Sequence, residues 1–234
     1  MQSERFVIAV FEFVLLLFSL SFHECAHAWM ASRLGDQTAR LQGRITLNPL
    51  AHIDPVGTLL FPAMVIFGPL LGFSVPFMLV GWAKPTPVIT RNFKKIVRDD
   101  NLTTLAGPAS NLLLVLVAFV SLAVICVAVP GGRSLVHANL SGALAFGSGL
   151  QPLVLLALLA IQVNLSLFFF NLLPIPPLDG SRVVRNMLPY KAVQQYDRIG
   201  GWIGLVLMIV VGGVLLRLLV SPIIGLIFSA LMGI

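Results

Sequence analysis

Four apolar runs, each long enough to cross a lipid bilayer, constrain this chain more than any other feature. They are Phe6 to Leu34, Leu102 to Val129, Leu150 to Leu173 and Trp202 to Val220. A helix needs ~20 apolar residues to cross the hydrocarbon core. In lipid, a helix also satisfies its own backbone hydrogen bonds. Of 234 residues, 58% are hydrophobic and 10% charged, against about 25% charged in soluble domains. The expectation is one all-α polytopic membrane domain over residues 1–234, with about four to six transmembrane helices.

The connecting segments refine that picture. Ala39 to Asn48 alternates: Leu41, Gly43, Ile45 and Leu47 fall on one side, Arg40, Gln42, Arg44 and Thr46 on the other. Such alternation predicts a short membrane-associated β-strand or hairpin. Val56 to Gly81 is apolar but broken by Pro62, Gly68-Pro69, Gly72 and Pro76, so it reads as one kinked span or a re-entrant pair of half helices. Pro130 to Gly149 reads as a Gly-rich loop. Ser221-Pro222 is expected to end the last span and lead into a short tail.

Basic loops stay cytoplasmic. That rule puts Arg33 to Arg44, Lys84 to Arg98 and Arg182 to Arg198 inside, and with them both flanks of Val56 to Gly81, which favours re-entry. The net charge of +6 comes from these loops and suits anionic headgroups rather than nucleic acid. Cys25 and Cys126 sit in apolar surroundings and suggest neither a disulfide framework nor a thiolate metal site. A signal peptide would need a basic start and a small-residue cleavage site; the first run instead continues into Ser21-Phe22-His23-Glu24 and is expected to be retained.

The chemistry is concentrated in His23-Glu24-Cys25-Ala26-His27, an H-E-x-x-H pattern. Residues four apart on a helix are neighbours, so both imidazoles can grip one metal ion. Glu24, one step round, reaches a metal-activated water instead. Such groups inside a membrane span cost free energy and signal function. A catalytic zinc site takes a third protein ligand. Glu4, Glu12 and Glu24 are the only glutamates, so no downstream glutamate can serve. Asp99 and Asp100 lie among basic residues, and Asp36, Asp54 and Asp197 read as turn or surface residues. His137 lies in the loop on the opposite face. Asp179, after Pro174-Ile175-Pro176-Pro177-Leu178, is placed to swing back to the metal or to cap a helix. His52 is the alternative ligand.

Three separated motifs resemble the site-2 proteases, the membrane-embedded zinc metalloproteases of peptidase family M50. They are the His23 to His27 pattern, Ala106-Gly107-Pro108-Ala109-Ser110-Asn111, and Asn171-Leu172-Leu173-Pro174 leading to Leu178-Asp179-Gly180. Gly43-Arg44-Ile45-Thr46-Leu47-Asn48-Pro49 and Gly81-Trp82-Ala83-Lys84-Pro85 resemble the small bacterial branch without a PDZ domain. The resemblance implies one catalytic zinc ion held by His23, His27 and Asp179, with Glu24 as general base. Asn111 and Asn171 fall where this family places asparagines near zinc. Together with His52 they are candidates for substrate binding, through hydrogen bonds to a peptide backbone or oxyanion; interhelical bonding is the alternative.

The expected activity is hydrolysis of peptide bonds within or near transmembrane helices. The expected substrates are single-span membrane proteins or signal-peptide remnants, met in the bacterial inner membrane with the active site toward the cytoplasm. An unwound substrate could pair with the Ala39 to Asn48 strand. A membrane zinc transporter and a non-catalytic zinc-binding membrane protein are the competing classes. The oligomeric state is not readable.

Overall fold

The computed structural model describes residues 2–73, 82–142, 149–198, 200, 202–208 and 213–234. Helix α1 (Gln2–Leu34) carries the His23 to His27 pattern in its second half. After Gly35, whose φ is +119°, a short α2 (Thr38–Leu41) follows. A wide i→i+5 turn, Pro55–Leu60, opens α3 (Phe61–Phe67), and a tight turn, Gly68–Leu71, closes it. Phe67 packs its ring against Phe6 and Phe13 of α1.

Helix α4 (Ile96–Ala128) forms the centre of the bundle. It packs against α1, α5 (Gly132–Leu140) and α6 (Gln151–Asn171). Ala106, Gly107, Ser110 and Ala118 are buried on α4. Small residues let helices approach closely where lipid provides no hydrophobic drive between them. The chain continues through α7 (Asp179–Met187), α8 (Tyr190–Asp197), α9 (Trp202–Leu207) and α10 (Gly213–Gly233). Helices α1, α4, α6 and α10 are long and apolar enough to cross a membrane. With Leu113, Leu116, Val117, Val120 and Val124 of α4 exposed, the protein is a multi-pass membrane protein whose helices turn apolar side chains toward lipid.

Several expectations need correction. Among the described residues there is no strand. The Ala39 to Asn48 stretch instead forms α2 and a turn in which Arg44 N–H donates to Ala39 O at 2.9 Å, through Gly43 at φ +70°. Asn48 then caps a turn, its Oδ1 accepting from Leu50 N at 3.1 Å. Alternation without a partner strand leaves a ladder's backbone groups unpaired, and local turns satisfy them better. The Pro130 to Gly149 segment holds α5 rather than only loop. The last span runs through Pro222 to Gly233 instead of ending there, since proline is tolerated in membrane helices. The return half of the expected re-entrant stretch, residues 74–81, lies outside the described residues.

Candidate metal centre and active site

His23 and His27 lie one turn apart on the buried face of α1. Their Nε2 atoms are 3.0 Å apart. Asp179, at the first turn of α7, brings Oδ2 to 3.0 Å from His23 Nε2 and 3.3 Å from His27 Nε2. All three side chains are largely buried.

This triangle fits zinc. Bonds of about 2.0–2.1 Å at tetrahedral angles put ligand atoms about 3.3 Å apart. The far sides of both rings are tied down. Asn111 Oδ1 accepts from His23 Nδ1 at 2.7 Å, and Thr103 O accepts from His27 Nδ1 at 2.7 Å. A proton fixed on each Nδ1 leaves each Nε2 lone pair facing inward, the arrangement of metal-binding histidines. Space is kept for an ion as well. A Cβ at Gly107 would lie 2.4 Å from His27 Nε2 and 2.5 Å from His23 Nε2, so only glycine leaves this pocket clear. Pro108 has no N–H for the Thr104 carbonyl; the neighbouring Thr103 carbonyl in this turn serves His27.

Glu24 stands off from the triangle. Its carboxylate lies within 4.8 Å of the imidazole nitrogens, whereas Asp179 approaches to 3.0 and 3.3 Å. Glu24 Oε2 accepts from Thr86 N–H at 3.0 Å and Thr86 Oγ1 at 2.7 Å. With Oε2 so engaged, the geometry favours Asp179 over Glu24 as the third ligand. Glu24 Oε1 takes no hydrogen bond from the described residues.

Two further elements fix these parts. A Cβ at Gly180 would fall 2.1 Å from Leu172 O, so glycine permits α7 to start hard against the end of α6. Asp36 is buried beyond the end of α1 and holds the strap that carries Thr86. It accepts from Ile89 N at 2.7 Å, Asn92 Nδ2 at 2.8 Å and Thr38 Oγ1 at 2.6 Å. Burial would raise its pKa, and these donors lower it further than burial raises it.

A cavity of about 810 Å³ opens beside the cluster, within the 300–1,000 Å³ typical of ligand sites. Its lining includes polar residues, among them His23, Glu24, His27, Thr86, Asn171, Asp179 and Arg182, and apolar ones, among them Leu16, Leu20, Val65, Ile66, Leu167 and Phe170.

The chain matches the model of Peptidase family M50 over residues 11–211. This chain belongs to peptidase family M50. It is 41% identical over 177 residues to "Putative zinc metalloprotease YwhC" of Bacillus subtilis, covering 75% of this chain and 68% of that protein. It is 31% identical over 167 residues to "Putative zinc metalloprotease Rip2" of Mycolicibacterium smegmatis, covering 70% of this chain and 52% of the relative. The chain thus spans about half the length of the Rip2 relatives it matches. No solved structure gives a significant match. Family and relatives together make this M50 peptidase a metalloprotease, and the donor set agrees with zinc.

The structure brings His23, Glu24, His27 and Asp179 together. Asn171 lines the cavity, with Nδ2 donating to Leu167 O at 2.9 Å. Asn111 is fully buried behind His23, and its Nδ2 donates to Asn164 Oδ1 at 2.9 Å. His52 is not brought to the cavity. It is buried in the loop after α2, with Nε2 donating to Thr46 O at 3.0 Å. Asp36, read as a turn or surface residue, and Asp99 and Asp100, whose basic neighbours suggest solvated side chains, are buried. Thr86, Thr103 and Asn164 were not anticipated. Asn164 carried a signal, being an amide within a highly apolar span, as Gln162 is. Thr86 and the Thr103 carbonyl carried none, because only the fold sets them beside Glu24 and His27.

Proposed function

We propose that this metalloprotease hydrolyses peptide bonds of membrane-protein substrates at membrane depth. The observation that carries the reading is the position of the cluster on α1. His23 lies 11 residues before Leu34 in one continuous helix, about 16 Å along the axis at 1.5 Å per residue. The adjoining cavity is apolar along most of its wall, which suits an apolar segment unwound from a transmembrane helix.

In this reading His23, His27 and Asp179 hold one zinc ion, which when bound polarises a carbonyl and lowers the pKa of water to about 7. Glu24 Oε1 takes a proton from the attacking water and delivers it to the leaving amine. Thr86 holds Oε2, so the free oxygen keeps its aim. Asn111 and Thr103 O keep the imidazoles turned inward. Asn171 has a second amide hydrogen for a substrate carbonyl. The strand-pairing step expected at Ala39 to Asn48 drops out, since no strand is there. In the strap at 82–89 the N–H groups of Trp82, Lys84, Thr86 and Ile89 are already bonded, and Pro85 and Pro87 have none.

Further proposals concern topology and partners. The active site opens toward the cytoplasmic side of a bacterial inner membrane. Trp82 N–H donates to Gly57 O at 3.2 Å and Thr58 Oγ1 to Trp82 O at 2.8 Å, which ties Trp82 to the Pro55–Leu60 turn. Substrates are single-span proteins or signal-peptide remnants.

The test is the purified enzyme in liposomes with a single-span substrate, read by mass spectrometry of the products. Wild type is expected to cut inside the apolar segment. Glu24→Gln is expected to keep zinc yet lose activity by about 10²–10⁴-fold, whereas His23→Ala loses both. Cuts confined to soluble flanks, or full activity in Glu24→Gln, would overturn the reading.

A further inference from the structure

Asp179 sits on a helix of only nine residues, Asp179–Met187, too short to hold its own orientation. Something must fix its rotation, because a ligand misplaced by an ångström fails to close the triangle. Residues three and seven positions on from Asp179 share its helix face. These are Arg182 and Asn186, and both reach the same carboxylate on α4. Arg182 Nη2 donates to Asp100 Oδ1 at 2.7 Å, and Asn186 Nδ2 donates to Asp100 Oδ2 at 2.7 Å. Asn186 Nδ2 also donates to Asn101 Oδ1 at 2.8 Å. Asp100 is buried, and both of its oxygens are spent on α7.

Asp100 belongs to a row on α4. Residues 100, 103, 107 and 111 recur at intervals of three and four and lie along one face. Thr103 O bonds His27, Gly107 clears the space between the imidazoles, and Asn111 bonds His23. One helix therefore sets both histidines directly and the aspartate through α7. We infer that Asp100 is a positioning residue of the metal centre, locking the rotation of α7 so that Asp179 meets His23 and His27. This rests on the reading of Asp179 as a metal ligand. The ion pair is more than a fold contact. Arg185 of α7, by contrast, bonds exposed Asp197 at 2.9 Å, a pair of the kind that contributes little. Neither Asp100 nor Asn186 lines the cavity, so their loss leaves the substrate surface intact.

The experiment uses the full chain in detergent, loaded with zinc or cobalt, as Asp100→Ala, Asn186→Ala, Arg182→Lys, Arg185→Ala and Asp179→Ala. Zinc affinity is measured by competition with a chromophoric chelator, and ligand geometry by the visible spectrum of the cobalt form. Asp100→Ala is expected to weaken zinc by about tenfold or more and alter the cobalt spectrum. Arg182→Lys, which keeps a donor for Asp100, should retain most of the affinity, and Arg185→Ala should match wild type. Where Asp100→Ala yields no folded protein, Asn186→Ala carries the test, with the same spectral change and a smaller loss. Wild-type affinity and spectrum in Asp100→Ala or in Asn186→Ala, alongside lost zinc in Asp179→Ala, would overturn the positioning role alone. Retained zinc in Asp179→Ala would overturn the ligand reading and this inference with it.

Discussion

The two halves of α4 are built on opposite principles. From Asp99 to Asn111 the buried residues are Asp99, Asp100, Thr103, Thr104, Ala106, Gly107, Pro108, Ser110 and Asn111. From Leu112 onward they are Val115, Ala118, Leu122 and Ile125. The second half packs with α5, α6 and α10 into an apolar core that includes Val136, Val154, Ile161 and Val220. That core asks for volume and shape, which many apolar residues can supply. The first half asks for particular atoms at particular places, because Asp100, the Thr103 carbonyl and Asn111 each serve a set partner. One helix thus combines a tolerant structural half with an intolerant chemical half.

The sharpest way to break this contrast is Gly107→Ala. The added methyl would collide with both Nε2 atoms, so zinc binding and cleavage should fall by about 100-fold or more, the upper end of losses from disturbed metal surroundings. Zinc content by atomic absorption and a cleavage assay check it. A smaller effect is expected from Asn111→Ala, which frees the His23 ring. Zinc affinity should weaken about 10–100-fold while the protein stays folded. Its counterpart is Leu122→Ala in the other half. Lost packing should cost about 2 kcal/mol or more of stability, measured as a lower unfolding midpoint, with zinc affinity unchanged. Equal losses of zinc in the two variants would erase the distinction between the halves.

The smallest effect concerns the strap rather than α4. The Asp36 pKa is lowered on folding, so its contribution is present above the ordinary carboxylate range. It is lost as pH falls through the lower folded-state value. Hydrogen exchange at Ile89 and Asn92 should therefore quicken at low pH, and Asp36→Asn should remove most of that dependence. Exchange that is independent of pH after correction for its intrinsic rate would refute the assignment.

Where the sequence reading succeeded, the relevant geometry was local. An i, i+4 pair of histidines is a neighbouring pair on any helix, and a long apolar run can span lipid whatever surrounds it. Asp179 became legible through the family motif rather than through spacing, since 156 positions separate it from His23. Where the reading failed, a local pattern was overruled by context. The alternation at Ala39 to Asn48 found no partner strand and folded into turns. Pro222 stayed inside α10, because a membrane helix surrounded by neighbours and lipid keeps its path through a proline that would end a soluble one. Asp100 looked solvated beside Arg98 and Asp99, yet it is buried against α7.

By itself the sequence determined the solvent, the spanning helices α1, α4 and α6, and the pair of imidazoles with a carboxylate between them. These follow from hydropathy and helical period, which need no knowledge of distant residues. Only the tertiary structure decided which atoms hold the histidine rings, how Thr86 aims Glu24 and what turns α7 toward the triangle. Hydrogen bonds of this kind depend on ångström distances between residues far apart in the chain, and a linear order of residue types carries no such distance.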